Sequence, residues 1–328
     1  MIAGVTHQEI FLFIVFNIII IFMLVLDLGF LSKKHKSMSI RAATIWTFVW
    51  ITLSLIFAGF IYLYDYDGIA LNQNKTKSLE YIAGYLMEKS LSVDNLFVFI
   101  MIFQKFRISQ ENQVLVLKWG IIGALVLRAI MILAGATLIA KFNWILYLFG
   151  IFLLYTATKM FLHNEEDKFE PEKNFIFRQL KKFVPLSSKE NPKRFFIVEN
   201  GRWVATTLFI VLVLIETSDI MFAFDSIPAV FSITQDPFIV YTSNIFAILG
   251  LRSLFFLING IMTLFVHLKT GVSLILAFVG AKMLLPLYGE LTQTEKIHIS
   301  INVSLSIIVI VLFISVAVSI PDYLKKKS

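Results

Sequence analysis

Nine apolar runs, each long enough to cross a lipid bilayer as a helix, limit how this chain of 328 residues can fold. A transmembrane helix needs about 20 mostly apolar residues. In the hydrocarbon core no water is present to hydrogen-bond the backbone N–H and C=O groups, so these groups must bond to one another, which favours helices. We therefore predict an all-α polytopic membrane protein with about nine transmembrane helices, a single transmembrane domain over residues 1–328. The predicted spans are 10–31, 42–64, 79–103, 114–139, 143–162, 203–231, 241–266, 271–289 and 297–320.

The composition agrees with this class of protein. Hydrophobic residues make up 58% of the chain and charged residues only 16%, whereas soluble domains are about a quarter charged. The formal net charge of +7 does not indicate a nucleic-acid partner, because the basic residues lie in short clusters between the apolar runs. Cysteine is absent, which excludes disulfides, thiolate metal sites and cysteine nucleophiles in this chain.

The basic clusters predict the topology. They follow the first, third and seventh spans, fill the loop at 163–202 and end the chain, so nine spans would place them all on one side of the membrane. Because cytoplasmic loops carry an excess of Lys and Arg, we predict a protein of the cytoplasmic membrane with its N-terminus outside and its C-terminus inside. The 163–202 loop is interpreted as a solvated cytoplasmic linker; a short amphipathic surface helix from Phe175 to Phe183 is the alternative.

An internal repeat divides the chain into two halves, 79–162 and 203–289, with flanking helices in 1–78 and 290–328. Each half has three spans, an odd number, so the second half must enter the membrane from the opposite side. This predicts a 3+3 inverted repeat of spans 3–5 and 6–8, which in transporters places the ion site at the midplane. The offset falls only from 125 to 123 over four matches: Asp94 with Asp219, Ile108 with Ile233, Arg128 with Arg252, and Lys159 with Lys282.

Five carboxylates lie well inside the third and sixth spans, away from the ends of these apolar runs. A carboxylate near mid-membrane costs about 2.5–3.5 kcal/mol, so such residues are retained where their oxygens are needed. Pro228 predicts a kink or unwinding near Asp225, which would free backbone carbonyls as further ligands. We predict an ion site whose ligands are Glu88, Asp94, Asn95, Glu216, Asp219 and Asp225, with Ser92 and Ser218 as ligands or hydrogen-bond partners of ligands.

Oxygen ligands of this kind suit hard divalent cations such as Mn²⁺, Mg²⁺ or Ca²⁺. All five histidines lie at span ends or in loops, which disfavours a zinc, copper or nickel site. Basic residues also lie at membrane depth, and Arg128 and Arg252 are predicted to pair with the acids. Together with Asp27 of the first span there are six acids at membrane depth against four bases, which are the two arginines, Lys159 and Lys282. A divalent cation or two protons would neutralise the two remaining negative charges. For Asp27 itself, a structural and a functional role are both open.

Two segments resemble the hallmark sequences of the TerC family of integral membrane proteins, which includes Alx-type members. They read Glu88-x-Ser-Leu-Ser-Val-Asp-Asn-Leu-Phe-Val and Glu216-Thr-Ser-Asp-x-x-Phe-Ala-x-Asp-Ser-Ile-Pro-Ala. The resemblance implies a multi-span protein of the cytoplasmic membrane, within a group of cation exporters. Family members are linked to manganese efflux, to metal supply for exported metalloenzymes and to tellurite resistance. The resemblance also implies that the five acids of the two segments are the family's intramembrane acids.

We therefore expect a transporter and not an enzyme: an exporter of Mn²⁺ or another hard divalent cation, working by alternating access and coupled to proton entry. A metal-sensing or tellurite-resistance scaffold without transport is the alternative. An intramembrane aspartic protease is less favoured, because none of the aspartates lies in a Gly-x-Gly-Asp sequence. The expected partners are the bilayer and the cation; a second copy of the chain and exported metalloproteins are further candidates.

Overall fold

The computed structural model describes residues 7–27, 38–63, 71–142, 144–162, 185, 187, 194–199, 201–261, 268–292 and 299–327. These residues form ten helices and one β-hairpin. The elements are α1 (His7–Val25), α2 (Ile40–Leu63), α3 (Leu71–Lys105), α4 (Gln110–Lys141), α5 (Ile145–Leu162), β1 (Phe196–Glu199), β2 (Arg202–Ala205), α6 (Thr207–Phe231), α7 (Pro237–Ile248), α8 (Leu251–Ile261), α9 (Leu268–Thr292) and α10 (Ile301–Lys327).

Six of the described helices are long and apolar enough to cross a membrane, namely α2, α4, α5, α6, α9 and α10. Helices α7 and α8 pass together as one bent span, which gives up to seven spans in the described residues. Their outward faces expose large apolar side chains such as Phe48, Ile56 and Phe313, which are suited to contact with lipid. The prediction of an all-α polytopic membrane protein is confirmed.

The predicted total of nine spans is not settled by helix length and composition. The spans predicted at 10–31 and 79–103 coincide with α1 and α3. The apolar part described for α1, Leu12–Val25, is shorter than a usual span, and α3 carries several charged residues within its apolar part. Nine crossings therefore stay a prediction.

The span predicted as one helix at 241–266 is broken in the structure. Helix α7 ends at Ile248 and α8 begins at Leu251, with a bend of 46° between them. Gly250 makes this turn at a φ of +78°, a left-handed conformation that costs a residue with a side chain about 1–2 kcal/mol. The indole of Trp50 occupies the place that a Cβ on Gly250 would need. A glycine inside an apolar run permits such a break but does not by itself predict one.

Of the kink or unwinding predicted near Asp225, the unwinding does not occur. Helix α6 continues past Asp225 and through Pro228 to Phe231. Proline lacks an N–H, so Pro228 removes only the hydrogen bond to the carbonyl of Phe224. Because Pro228 lies in the last turn of α6, few backbone bonds remain beyond it to disrupt. The broken span of the second half is therefore the α7–α8 pair and not α6.

A β-hairpin precedes α6, so the sixth span begins later than the predicted residue 203. Strands β1 and β2 pair from Phe196 with Ala205 to Glu199 with Arg202, and α6 begins at Thr207. The two residues between the strands in the sequence are Asn-Gly, the usual sequence of a tight hairpin turn, and Gly201 has a φ of +74°. This signal was missed when 163–202 was interpreted as a linker. The alternative amphipathic helix at 175–183 lies outside the described residues.

The hairpin allows a direct test of the predicted topology, because the chain has no cysteine of its own. Val198 is 54% exposed and lies in the predicted cytoplasmic loop. A Val198→Cys variant is expected to react with a membrane-impermeant maleimide only after the cells are permeabilised. Gln235→Cys, exposed in a loop predicted to lie outside, is the matched control and is expected to react in intact cells. The reverse labelling pattern would contradict the predicted orientation.

The helices pack in pairs that are symmetric under exchange of the two predicted halves. The first helices of the halves, α3 and α6, contact each other, and so do the third helices, α5 and α9. The contact of α3 with α7 is mirrored by that of α4 with α6. Gly150 and Gly280 allow α5 and α9 to approach closely, since a Cβ on Gly150 would lie 3.1 Å from the carbonyl oxygen of Gly280. The inverted orientation of the halves stays a prediction.

Candidate intramembrane carboxylate site

Four helices bring polar side chains together inside the bundle around Arg128 of α4. Its Nη1 forms an ion pair with Glu88 of α3, and its Nη2 lies 3.1 Å from Oδ1 of Asp219 of α6. The Nε of Arg128 donates to Oδ2 of Asp219 at 3.3 Å, so both oxygens of this carboxylate are held by one edge of the guanidinium. Nη1 also donates to Oδ1 of Asn244 of α7 at 3.4 Å.

The side chains of this cluster are removed from the surface. Arg128 and Glu88 are each 1% exposed, and Asp219 is 6% exposed. Charges buried to this degree are retained only when they are paired and hydrogen-bonded. Asn244 is itself held by its amide, which donates to the carbonyl of Val240 at 3.0 Å and leaves the side-chain oxygen facing Arg128. The sequence therefore builds a fixed polar cluster between four apolar helices.

The cluster leaves acceptor oxygens unused. Oε2 of Glu88 is buried and has no hydrogen-bond partner among the described residues, and the same holds for the hydroxyl of Ser92 one turn later. One guanidinium faces two carboxylates, so the group of Glu88, Arg128 and Asp219 has an excess negative charge. Buried acceptors and uncompensated charge of this kind are costly. The cluster can therefore accept a further cation or a proton.

Glu216 adds a third carboxylate, one turn before Asp219 on α6. Its carboxylate lies against Gly123 of α4, where a Cβ would overlap it, and its Oε2 is buried without a hydrogen-bond partner among the described residues. Glu216 and Asp219 both line a small cavity. The rest of the lining is apolar and includes Ile248 and Leu251, the residues on either side of the break between α7 and α8.

The break itself has a charged partner that sequence reasoning missed. The Nζ of Lys89 on α3 donates to the carbonyl of Ala247 in the last turn of α7, at 3.2 Å. A cation at this position is favourable, because the last carbonyls of a helix lack backbone donors and carry partial negative charge. Lys89 was omitted from the predicted set of intramembrane bases. Its place beside Glu88 in an apolar run was the available signal.

Other predicted site residues lie outside this cluster. Asp225 accepts a hydrogen bond from Thr156 of α5 at 2.9 Å, and no described contact joins it to Arg128. Asp27 pairs with Arg252 at 2.9 Å. The hydroxyl of Ser218 donates to the carbonyl of Leu214 within its own helix, so its proton is not directed into the site.

The two remaining predicted ligands lie on α3. Asn95 is buried there. Asp94 belongs to the same helix, but its side chain lies outside the described part of the chain. In the part that the structure describes, no three Asp, Glu or His side chains converge in a way that could hold a metal. Arg128 stands between Glu88 and Asp219 where the sequence predicted a cation. The predicted pairing of both arginines with acids is seen, whereas the metal site remains a prediction.

These features define a polytopic helical membrane protein with an ionisable cluster inside its bundle. The family model described as integral membrane protein TerC family matches residues 73–327, and the chain belongs to this family. Both hallmark segments, beginning at Glu88 and Glu216, lie within the match, whereas Asp27 lies before it. The predicted family membership is confirmed.

Relatives with curated descriptions cover most of the chain. A protein of Photorhabdus laumondii is 46% identical over 271 residues, which is 82% of this chain and 84% of that protein. One of Escherichia coli strain K12 is 44% identical over 273 residues, with coverages of 82% and 84%. Both are named as a proposed membrane-bound redox modulator, Alx. An uncharacterized membrane protein of Rickettsia bellii is 40% identical over 287 residues, 86% of this chain and 92% of that protein. No solved structure matches the chain.

Proposed function

We propose that this protein exports a hard divalent cation, most favourably Mn²⁺, across the cytoplasmic membrane. The observation that carries the proposal is the buried cluster of Glu88, Arg128 and Asp219, with a third carboxylate, that of the half-buried Glu216, one turn before Asp219 on α6. In the described residues Glu216 takes part in no ion pair, so the group holds three acids against one base. A chain keeps such costly charge inside a membrane when the charge binds an ion or moves protons.

The number and type of charges favour a divalent cation. Three carboxylates and one guanidinium leave two negative charges, which one divalent cation would neutralise. Carboxylate, amide and hydroxyl oxygens favour hard cations, and cysteine and depth-placed histidine, which favour softer metals, are absent from the sequence. The preference for Mn²⁺ over Mg²⁺ comes from the family's link to manganese efflux.

The surroundings of the site support alternating access. The cavity beside Glu216 and Asp219 is bounded by both predicted halves and lies at the broken span of the second half. In transporters, broken helices and the interface between repeats are where substrate ions bind. The exchange-symmetric packing of the helices agrees with two related halves that could rock against each other. Protons that enter on the same carboxylates would drive export.

The redox role in the relatives' names does not require a separate activity of this chain. Without cysteine the chain cannot carry out thiol–disulfide exchange by itself. An exporter that sets the cytoplasmic manganese level would alter redox balance through the enzymes that use this metal. We therefore propose that any redox effect follows from cation transport.

Flux into or out of vesicles that contain only the purified protein tests this proposal. Proteoliposomes loaded with a Mn²⁺-sensitive fluorophore are expected to show Mn²⁺ movement well above protein-free vesicles, and a proton gradient is expected to accelerate it. Mg²⁺ and Ca²⁺ in excess test selectivity. Absence of flux for all hard divalent cations, with a folded protein, would refute the exporter and favour the metal-sensing scaffold.

The glycine beneath Glu216 provides a more local test. An alanine at Gly123 would place its Cβ on the Glu216 carboxylate, which must then leave its position against α4. We expect Gly123→Ala to lower the Mn²⁺ transport rate at least tenfold, with little effect on thermal stability, because a flexible side-chain end can move aside. Gly59→Ala is the matched control, since no atom lies within 4 Å of its added Cβ. Equal transport by both variants would show that the position of Glu216 is unimportant.

A further inference from the structure

We propose, on the basis of the function above, that Arg128 is an internal substitute for the transported cation. In the cation-free protein its guanidinium bridges Glu88 and Asp219. When the divalent cation enters, it takes this bridging place, and the guanidinium moves to Glu216. Arg128 is then a positioning residue. It keeps the carboxylates of Glu88 and Asp219 in place before the cation enters, and it limits the affinity for the cation.

The first argument is that Arg128 makes the contacts a bound cation would make. Its polar contacts all reach across to other helices: Glu88 on α3, Asp219 on α6 and Asn244 on α7. Among the described contacts, it is the only link between Glu88 and Asp219. A divalent cation with oxygen ligands would bridge the same carboxylates and the same amide oxygen. The two cations therefore compete for one set of oxygens.

The second argument is that the structure offers the guanidinium another place. Side chains on a helix tend to lean toward its N-terminal turn, and Ala124 and Gly120 lie one and two turns before Arg128 on the same face of α4. Both of these small residues line the cavity that also contains Glu216. The buried Oε2 of Glu216 has no hydrogen-bond partner among the described residues, so it can accept the displaced guanidinium.

The third argument is charge balance. With the cation bound to Glu88 and Asp219, and Arg128 paired with Glu216, three negative charges meet three positive ones. Without the cation two negative charges are in excess, and without Arg128 the site would hold the cation with an excess of negative charge. An exporter must release its substrate as well as bind it. A tethered positive charge that returns to the acids promotes that release.

Arg252 provides the internal contrast. It stands at the matching position of the second half, but it pairs with the single acid Asp27 at 2.9 Å. Arg252 and Asp27 are both buried, and together they carry no net charge. A one-to-one pair has no surplus charge to attract a divalent cation. Arg252 is therefore the matched structural control for Arg128.

Equilibrium binding of Mn²⁺ to the purified full-length protein in nanodiscs tests the inference. Arg128→Gln is expected to bind Mn²⁺ at least tenfold more tightly than the parent, because the competing cation is removed, and to turn over more slowly in vesicles. Arg252→Gln is expected to bind with the parent's affinity per folded molecule. Unchanged or weaker binding by Arg128→Gln would overturn the inference. If the parent still transports Mn²⁺ in that case, the exporter function stands without it.

A double-mutant cycle tests the part played by Glu216, and its first arm does not need Arg128→Gln: unchanged Mn²⁺ affinity of Glu216→Gln in the parent would overturn the exchange. If Glu216 acts by receiving Arg128, Glu216→Gln weakens Mn²⁺ binding at least tenfold in the parent. The same weakening is expected when Glu216→Gln is introduced into Arg128→Lys, which keeps the positive charge. The same change is expected to have no further effect in the Arg128→Gln background. Equal weakening in both backgrounds would make Glu216 a direct ligand and overturn the exchange. Tight binding by Arg128→Gln with no flux in the parent would instead support the exchange and refute export.

Discussion

Replacement of Asp219 by asparagine is expected to abolish divalent cation efflux while leaving the protein folded in the membrane. Asparagine keeps the size and one oxygen that can accept from Arg128, but it removes a negative charge. Arg128 and Glu88 then neutralise each other, and the cluster no longer attracts a divalent cation. Because Arg128 keeps its pair with Glu88, the cost is expected to stay below the about 3–5 kcal/mol of breaking a buried pair completely. Efflux from cells at equal membrane level measures the effect.

Substitutions at the other acids show whether the effect belongs to the cluster. Glu88→Gln and Glu216→Gln are expected to abolish efflux in the same way, and the sequence predicts this for Asp94→Asn and Asp225→Asn too. Asp27→Asn is the control with a different outcome: it leaves Arg252 buried without its acid, so it lowers the amount of protein. Cells with Asp219→Asn that resist excess manganese like the parent, at equal expression, would show that Asp219 is not central.

The transmembrane helices and the protein class could be predicted from the sequence, because the length of an apolar run decides whether a segment can cross a bilayer as a helix. The prediction placed α2, α4, α5, α9 and α10 within a few residues of their ends in most cases. The involvement of Glu88, Asp219 and Arg128 was also predictable, since charged residues in apolar runs must find one another. What the sequence does not state is how a charge is shared. The bidentate hold of Arg128 on Asp219 depends on the crossing of α4 with α6.

Partners that are not charged were beyond sequence reasoning. Asn244 follows two other polar residues in a buried helix and lies 116 residues from the arginine that it contacts. No feature of the neighbouring sequence indicates this contact. Asp225 carried the same signal as Asp219 but turns toward Thr156 of α5, because six residues along a helix is not a whole number of turns. Gly123 became significant only when α6 placed Glu216 against it. Each of these depends on a neighbour distant in sequence.

The break between α7 and α8 was likewise hidden, because an isolated glycine is tolerated inside a helix and does not by itself end one. Pro228 gave the stronger local signal, yet α6 passes through it. The difference lies in tertiary packing. Trp50 of α2 fills the space beside Gly250, and Lys89 of α3 binds the carbonyl of Ala247 at the end of α7. Neighbouring helices therefore support a break that the local sequence only permits.

Gly250→Ala is accordingly expected to cause a large loss of folded protein. Alanine would be held at a left-handed φ of +78°, and its Cβ would lie 2.5 Å from Cδ1 of Trp50. The strain costs about 1–2 kcal/mol and the overpacking about 1–3 kcal/mol, so the total is about 2–5 kcal/mol. The thermal unfolding temperature of the purified protein, and its yield in the membrane, measure the effect.

Gly201→Ala separates the two contributions. Gly201 has nearly the same φ, +74°, but no atom lies within 4 Å of an added Cβ, so alanine there meets the backbone strain alone. We expect the unfolding temperature of Gly250→Ala to fall well below that of Gly201→Ala. A second change, Trp50→Ala, is expected to recover part of the loss in Gly250→Ala, because it removes the overlapping indole. Equal unfolding temperatures for the two glycine variants would contradict the close packing of Trp50 against Gly250 at the helix break. The structural basis for placing Ile248 and Leu251, the residues on either side of that break, in the wall of the cavity beside Glu216 would then also be lost.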